Sequence, residues 1–132
     1  MIYLDTSVVL AQLLAEDRYP PGALWENVLV SSRLLQYEVW TRIHARNLAR
    51  SHESVVRALL ARLAFVELSA PVLARALEAF PRPVRTLDAL HLSTLEFLRG
   101  QGQLVELASY DDRMIEVARQ MKVPVFAGCV DH

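Results

Sequence analysis

The sequence begins MIYLDTSVVLAQLL at residues 1–14, and this stretch decides the fold. Residues 2–4 form a short apolar run, and residues 8–14 form an apolar segment long enough for a helix. Asp5 opens a polar junction between them, so the pattern predicts a strand, a tight turn and a helix. A strand this short and apolar on both faces is typical of the interior of a parallel sheet. Asp5 is therefore expected at the carboxyl end of a central strand, where open α/β sheets place their ligand sites.

The same junction has a second interpretation as a helix cap. Asp5, Thr6 or Ser7 can serve as the N-cap of the following helix and accept hydrogen bonds from its free N–H groups. A carboxylate at the end of a buried strand needs some partner, because an unpaired charge is costly to bury. The spacing within residues 1–14 does not decide between the two interpretations, so the rest of the chain is needed.

Short apolar runs and longer helical segments alternate along the rest of the chain. Further strands are predicted at residues 27–31, 65–68, 104–108 and 123–126. Helices are predicted at residues 33–47, 51–64, 70–80, 86–99 and 113–121. Because strands that alternate with helices form parallel sheets, we expect an α/β fold in one domain spanning residues 1–132.

Composition narrows the functional classes. The chain of 132 residues has a net charge of −1, which argues against a protein that holds nucleic acid mainly by bulk electrostatics. Its single cysteine, Cys129, excludes an internal disulfide and a cysteine-rich metal site. The hydrophobic fraction of 53% suggests apolar surface for a partner. Since the sequence has no apolar run of membrane-spanning length and no leader peptide, we expect a cytoplasmic protein that makes no membrane contact.

Four carboxylates, far apart in the sequence, occupy equivalent places in this pattern. Asp5 and Asp111 closely follow predicted strands, whereas Glu38 and Asp88 lie in the opening turns of predicted helices. In a parallel sheet these junctions open at one edge, so the side chains are expected to converge there. Repulsion among them favours a hard divalent cation, Mg²⁺ or Mn²⁺ rather than zinc. Carboxylates around such an ion can activate water and assist an in-line displacement at a phosphodiester.

The acidic positions also have simpler explanations. Glu38 and Arg42 are four residues apart and can form an ion pair on a solvated helix face. Arg46 and Arg50 continue this spacing, and in the functional interpretation the arginines lead outward from Glu38 along a phosphate backbone. Asp88 in a first helical turn is favoured by the helix dipole alone. The prediction of a metal site therefore depends on the four positions together.

Segments covering nearly the whole chain resemble a PIN domain and are most similar to the VapC-type toxins of toxin–antitoxin pairs. These segments are IYLDTSVVLAQLL at 2–14, SSRLLQYEVW at 31–40, RTLDALHLSTL at 85–95 and ASYDDRMIEVARQMKVPVF at 108–126. The resemblance implies a three-layer α/β/α sandwich with a short-stranded parallel sheet. It also implies an endoribonuclease that uses Mg²⁺ or Mn²⁺ to cleave RNA phosphodiester bonds, in single-stranded or looped RNA.

The resemblance also implies roles for individual residues. The family's catalytic and metal-binding carboxylates fall on Asp5, Glu38, Asp88 and Asp111. Its supporting hydroxyl residues fall on Thr6 and Ser109. Asp112 directly follows Asp111 and is an alternative or an additional member at the fourth acidic position, although the family motif favours Asp111.

Four arginines are candidates for RNA contact, namely Arg42, Arg82, Arg85 and Arg113. Arginine suits bidentate binding of phosphate, and the last three lie close in sequence to Asp88 or Asp111. The alternative is that each is simply an exposed arginine. His91 follows Asp88 by three residues, and we expect it to pack or to support a carboxylate rather than to act as a general base.

The resemblance further implies two protein partners. One is a second copy of the chain in a homodimer. The other is a small antitoxin that lays an apolar segment along the helices of the first half, with a basic residue able to reach the acidic site. Two alternatives remain: a PIN nuclease in RNA processing that has no antitoxin, and a non-catalytic PIN scaffold that binds RNA or protein.

Overall fold

The computed structural model describes residues 1–15 and 17–129. Its strands are β1 (Ile2–Leu4), β2 (Leu29–Ser32), β3 (Ala64–Val66) and β4 (Glu106–Ala108). Its α-helices are α1 (Thr6–Leu14), α2 (Arg33–Ala45), α3 (Ala49–Leu60), α4 (Ala70–Ala76), α5 (Thr86–Gly100) and α6 (Asp112–Gln120). Short 3₁₀ segments occur at Gly22–Glu26 and Ala127–Cys129. Strands thus alternate with helices as the sequence predicts; residues 130–132 of the predicted domain lie outside the described residues.

The order of the strands determines where a site can form. The strands run parallel in the order β3-β2-β1-β4. β1 pairs with β4 from Ile2↔Glu106 to Leu4↔Ala108, and it pairs with β2 on its other edge. The chain therefore leaves β1 toward β2 on one side and later returns to β4 on the other. Ligands of open α/β sheets bind at such a reversal of strand order, beyond the carboxyl ends of the strands.

Helices cover both faces of the sheet. Ile2 and Leu4 of β1 pack in one core cluster with residues of α1, α2 and α3. Tyr3, between them in sequence, points to the other face and packs with residues of α5 and α6. This alternation follows from the two-residue repeat of a strand. The predicted three-layer α/β/α fold class is thereby confirmed, with a sheet whose strands are only three or four residues long.

The predicted strand at residues 123–126 is largely wrong. Val125 forms a single parallel bridge to Leu107 of β4, flanked by hydrogen bonds to the carbonyl of Pro124 and from the amide of Phe126. Proline has no N–H to donate, so the ladder cannot extend as in a full strand. The helices predicted at 51–64 and 70–80 also end earlier than expected, at Leu60 and Ala76.

None of the helices in residues 1–15 and 17–129 is long and apolar enough to cross a bilayer.

Truncation of Ile43 tests how much the packing of α2 against the core contributes to stability. Its side chain is completely buried among the helices that cover one face of the sheet. We expect Ile43→Ala to lower the free energy of unfolding by about 2–5 kcal/mol, because the truncation leaves a cavity. Urea denaturation measures this loss. Tyr37→Ala on the same helix is the control: Tyr37 is 68% exposed, and its truncation should cost less than about 0.5 kcal/mol. Equal losses in both variants would contradict the described packing of α2.

Candidate active site

Asp5 lies immediately after β1, at the reversal of strand order. Its amide donates to the carbonyl of Ala108 at 3.0 Å, which continues the β1–β4 pairing by one residue. Its Oδ2 accepts hydrogen bonds from the hydroxyls of Ser7 at 2.8 Å and Ser109 at 2.9 Å. Asp5 occupies the N-cap position of α1 but makes no side-chain cap hydrogen bond, so the cap interpretation is wrong for this residue. The carboxylate is instead held toward β4 and is only 6% exposed.

Asp111 is connected to Asp5 through one buried hydroxyl. Ser109 Oγ, which donates to Asp5, accepts a hydrogen bond from the amide of Asp111 at 2.9 Å. Asp111 Oδ1 in turn accepts from the amides of Arg113 at 3.0 Å and Met114 at 3.3 Å, and so caps α6. The structure thus places the predicted Asp5, Ser109 and Asp111 in one hydrogen-bonded chain. Asp112 is the first residue of α6 and is exposed.

Glu38 reaches the same edge from the second turn of α2. Its Oε1 accepts hydrogen bonds from Thr6 Oγ1 at 2.8 Å and from His91 Nε2 at 2.6 Å. The Glu38 side chain is 18% exposed. Within the described residues it forms no ion pair with Arg42, so the interpretation as a solvated Glu38–Arg42 pair is wrong. Ser32 caps α2, because its hydroxyl oxygen accepts from the amide of Leu34 at 3.1 Å.

His91 holds Glu38 in this position. The imidazole is 1% exposed, and its Nδ1 lies 2.7 Å from the hydroxyl of Tyr3. Because a carboxylate can only accept, His91 Nε2 must carry the proton that reaches Glu38. Burial acts to lower the pKa of His91, but the hydrogen bond to Glu38 and the charges of Asp5, Glu38 and Asp88 outweigh it and raise the pKa. Burial raises the pKa of Tyr3, so its hydroxyl stays protonated.

Asp88 lies in the first turn of α5, as predicted, and the charges of two other acidic residues act on its carboxyl group. Burial raises the pKa of its carboxyl group, and the negative charges of Asp111 and Asp5 raise it further. Arg85 opposes this effect from 3.6 Å, between its Nε and Asp88 Oδ2. Asp88 thus lies near enough to Asp111 and Asp5 for their charges to oppose its ionisation. A nearby cation would relieve the repulsion.

The predicted arginines have different surroundings. Arg85 and Arg113 line a small cavity of about 240 Å³ together with Asp88. Arg82 forms an ion pair with Glu116 of α6. Arg42 is exposed on α2 and lines a separate groove beside Ser7. The structure therefore brings Arg85 and Arg113 to the acidic site but not Arg82.

The carboxylate oxygens at this site are ligands of the kind that a hard cation prefers. In Asp5, Glu38 and Asp111 the protein's hydrogen bonds reach one carboxylate oxygen, and the described residues supply none to the other. Each acid is thus oriented while keeping an oxygen for a ligand, which is what Mg²⁺ or Mn²⁺ requires. Across residues 1–15 and 17–129, however, no three His, Cys, Asp or Glu side chains already lie close enough to hold an ion. Mg²⁺ in proteins usually keeps several waters and is held by one or two carboxylates, so a site here does not need three such side chains in contact.

Sequence reasoning missed two residues that shape this site. The sequence indicates Ser7 only as a helix cap, yet its hydroxyl donates to Asp5 and accepts from the amide of Tyr110 at 3.0 Å. Tyr3 has the apolar pattern of a core residue, and only the packing of β1 against α5 shows that its hydroxyl meets His91. The position of Ser7, two residues after Asp5, could have indicated that its hydroxyl reaches the Asp5 carboxylate. Nothing in the sequence near Tyr3 indicates its partner.

Asp111 has two separable roles, as a helix cap and as a charge. We expect Asp111→Ala to lower the free energy of unfolding by about 1 kcal/mol, because two amides of α6 lose their acceptor. Asp111→Asn keeps a capping oxygen and should retain most of the stability while losing the charge. Thermal unfolding of the two variants measures the difference. Equal destabilisation by both changes would show that the cap contributes nothing.

Comparison with known proteins gives concordant matches in sequence and structure. The sequence model described as PIN domain matches residues 2–120. Ribonuclease VapC35 of two Mycobacterium tuberculosis strains is 32% identical over 133 residues, with 96% of each chain covered. Ribonuclease VapC46 of M. tuberculosis is 32% identical over 129 residues, again with 96% of each chain covered.

A solved structure shares the fold. The crystal structure of M. tuberculosis VapC20, described as a toxin that cleaves the sarcin–ricin loop, superposes with a TM-score of 0.66. The match covers 88% of this chain and 94% of that one at 19% identity, so it supports the fold alone. Together with the sequence matches, it confirms the resemblance predicted from the sequence.

Proposed function

This chain belongs to the PIN-domain family, and we propose that it is a divalent-metal-dependent endoribonuclease toxin of the VapC type. The relatives named ribonucleases support a nuclease. The observation that carries the proposal is the arrangement of Asp5, Glu38 and Asp111 at the β1–β4 reversal. Each carboxylate there is held through one oxygen and keeps the other for a ligand. We propose the whole chain, residues 1–132, as the PIN domain.

Asp5, Glu38, Asp88 and Asp111 are the proposed ligands of Mg²⁺ or Mn²⁺ and the proposed catalytic residues. When bound, the ion would supply a water of lowered pKa and stabilise charge on the phosphodiester. The protein's own part is orientation: Thr6 and His91 hold Glu38, while Ser7 and Ser109 hold Asp5. Support of this kind fixes the geometry of metal-binding carboxylates.

The fourth acidic position is best assigned to Asp111. Its charge raises the pKa of Asp88, and its amide is linked to Asp5 through Ser109. Asp111 is also half-buried beside the site, whereas Asp112 is exposed. We therefore propose Asp112 as a surface residue near the site without a ligand role.

Two of the predicted arginines are placed to contact the substrate. Arg85 and Arg113 line the cavity that contains Asp88, and their guanidinium groups suit phosphate oxygens. Arg85 is also paired with Asp88, so a phosphate or a metal would compete for one of the two. The ion pair of Arg82 with Glu116 makes Arg82 a weaker candidate for RNA contact.

The proposed partners follow from the relatives and from the charge of the site. RNA is the proposed substrate, and the cytoplasm is the proposed location. A small antitoxin and a homodimer are proposed from the resemblance to VapC proteins.

A basic side chain of the antitoxin, directed at Asp5 and Asp88, would compete with the metal for the same carboxylates. Purified antitoxin is then expected to suppress cleavage in proportion to its binding, and cleavage that is unaffected by a bound antitoxin would contradict this mode of inhibition.

RNA cleavage with controlled metal tests the proposed function. Single-stranded and hairpin RNAs are incubated with the protein in EDTA, then with added Mg²⁺ or Mn²⁺. We expect internal cuts only when a divalent ion is present. Activity that survives complete chelation would contradict a metal-dependent mechanism. RNA that stays intact under every metal condition would favour a non-catalytic scaffold.

A further inference from the structure

A basic groove of about 680 Å³ lies on the α1–α2 side of the sheet. It is defined by Ser7, Asp17, Arg18, Arg42, Arg46 and Tyr110. Its size is within the range of ligand-binding clefts, about 300–1,000 Å³. Three of its lining residues are arginines and one is an aspartate, in a chain whose net charge is −1. The residues that line this groove therefore carry an excess of positive charge, although the chain as a whole does not.

The basic groove is directly connected to the acidic site. Ser7 is shared between them: its hydroxyl donates to Asp5 Oδ2 at 2.8 Å and accepts from the amide of Tyr110 at 3.0 Å. Arg18 is held at the groove because its Nη1 donates to the carbonyl of Tyr110 at 3.0 Å. A ligand group in the groove thus lies next to a ligand group held by Asp5.

Arg42 and Arg46 are the cations best placed to meet a polyanion. They are one helical turn apart, which separates them by about 6 Å along the helix axis. Both are exposed, and neither forms an ion pair with any residue that the structure describes. Arginine binds phosphate oxygens through two parallel N–H groups. Two such groups at this spacing can contact successive phosphates of an extended strand.

We propose that the basic groove binds the backbone phosphates of single-stranded RNA adjacent to the scissile phosphate. The proposal rests on the proposed ribonuclease function and adds the path of the substrate. The cavity with Arg85 and Arg113 is built from α5, α6 and the segment before α5, on the opposite layer of the sandwich. The RNA strand therefore crosses the carboxyl edge of the sheet, with arginines on both sides of the acids.

The proposed path excludes Arg50, which the four-residue spacing in the sequence would include. α2 ends at Ala45, and Arg50 lies in α3, where it lines a different cavity with Trp40 and His44. Arg50 therefore provides a matched control for Arg42 and Arg46. It has the same side chain and is exposed on the same layer, but it lies outside the basic groove.

RNA binding tests the proposal independently of cleavage. An Asp5→Asn background prevents cutting, and fluorescence anisotropy follows binding of a labelled single-stranded RNA over a range of KCl concentrations. We expect Arg42→Gln/Arg46→Gln to weaken binding about tenfold. The slope of log K against log salt should fall in magnitude by about 1.4, because each phosphate that is no longer neutralised lowers it by about 0.7. Arg42→Lys/Arg46→Lys should keep most of the slope, and Arg50→Gln should change neither quantity.

Three outcomes would overturn the proposal. If the wild type cleaves RNA with Mn²⁺ but the double glutamine variant binds RNA unchanged, only the groove assignment fails. If the variant binds RNA unchanged but no longer binds a labelled polyglutamate peptide that the wild type binds, the groove serves an acidic protein segment instead. If the wild-type protein neither binds nor cuts RNA, the groove assignment and the proposed function both fail.

Discussion

An Asp5→Asn variant is expected to lose at least about a hundredfold of the metal-dependent RNA cleavage while remaining folded. Loss of a residue that merely supports a metal ligand typically costs 10–100-fold, so loss of a ligand should cost at least the upper end, about 100-fold. Asparagine has the same shape, and its amide oxygen can still accept from Ser7 and Ser109. The substitution removes the negative charge of the carboxylate, which would otherwise bind the cation. Initial cleavage rates at saturating Mn²⁺ measure the effect.

Asp112→Asn is the matched control for this experiment. It removes the same charge from the same end of the sheet, but at an exposed residue for which we propose no ligand role. We expect cleavage within about twofold of the parent, because salt screens the charge of an exposed side chain. Urea unfolding of both variants checks that folding is not the cause of any loss. If both variants cleave like the parent, Asp5 does not act in the chemistry.

A His91→Leu variant is expected to lose both activity and stability. Leucine removes the imidazole partner of the Tyr3 hydroxyl and of the Glu38 carboxylate, although Glu38 keeps its hydrogen bond from Thr6. Loss of a hydrogen-bond partner at a buried polar group costs about 1–3 kcal/mol in the free energy of unfolding. Glu38 also loses one of the two donors that orient it, the other being Thr6, so RNA cleavage should fall by about 10–100-fold. Thermal unfolding and cleavage rates measure the two effects separately.

His91→Gln separates orientation of Glu38 from packing. Glutamine can place an amide N–H near the position of His91 Nε2, so it should restore part of the activity that leucine loses. Tyr3→Phe removes the other hydrogen bond of the imidazole and leaves the Glu38 interaction in place. The apparent affinity for Mn²⁺ is the readout that a purely structural role would not change. If leucine and glutamine variants bind Mn²⁺ equally well, His91 contributes packing alone.

The position of Asp5 could be predicted because its causes are local in sequence. The apolar run at residues 2–4 and the helix that follows it require a junction at Asp5, and strand–helix alternation implies a parallel sheet. That sheet brings Asp111 to the same edge, through the β1–β4 pairing that the structure shows. The glutamate of α2 follows from the same logic, since α2 starts at the carboxyl end of β2.

The supporting contacts could not be predicted, because they depend on register between distant elements. Tyr3 and His91 are 88 residues apart, and they meet only because β1 and α5 pack on the same face of the sheet. The break between α2 and α3 was, by contrast, predicted, because separate helices were expected at residues 33–47 and 51–64. The chain turns at Asn47, whose φ of +55° is in the left-handed region, and α3 begins at Ala49, so Arg50 lies on a different helix from Arg42.

Binding of Mn²⁺ is the most direct test of the central claim, that the sheet edge gathers distant carboxylates around a divalent cation. Crystals soaked in Mn²⁺ are measured at a wavelength where manganese scatters anomalously. The account predicts a manganese peak with carboxylate oxygens of Asp5 and Asp88 among its ligands, at about 2.1 Å. Soaked crystals without that peak, in which Asp5 and Asp88 point away from each other, would contradict it.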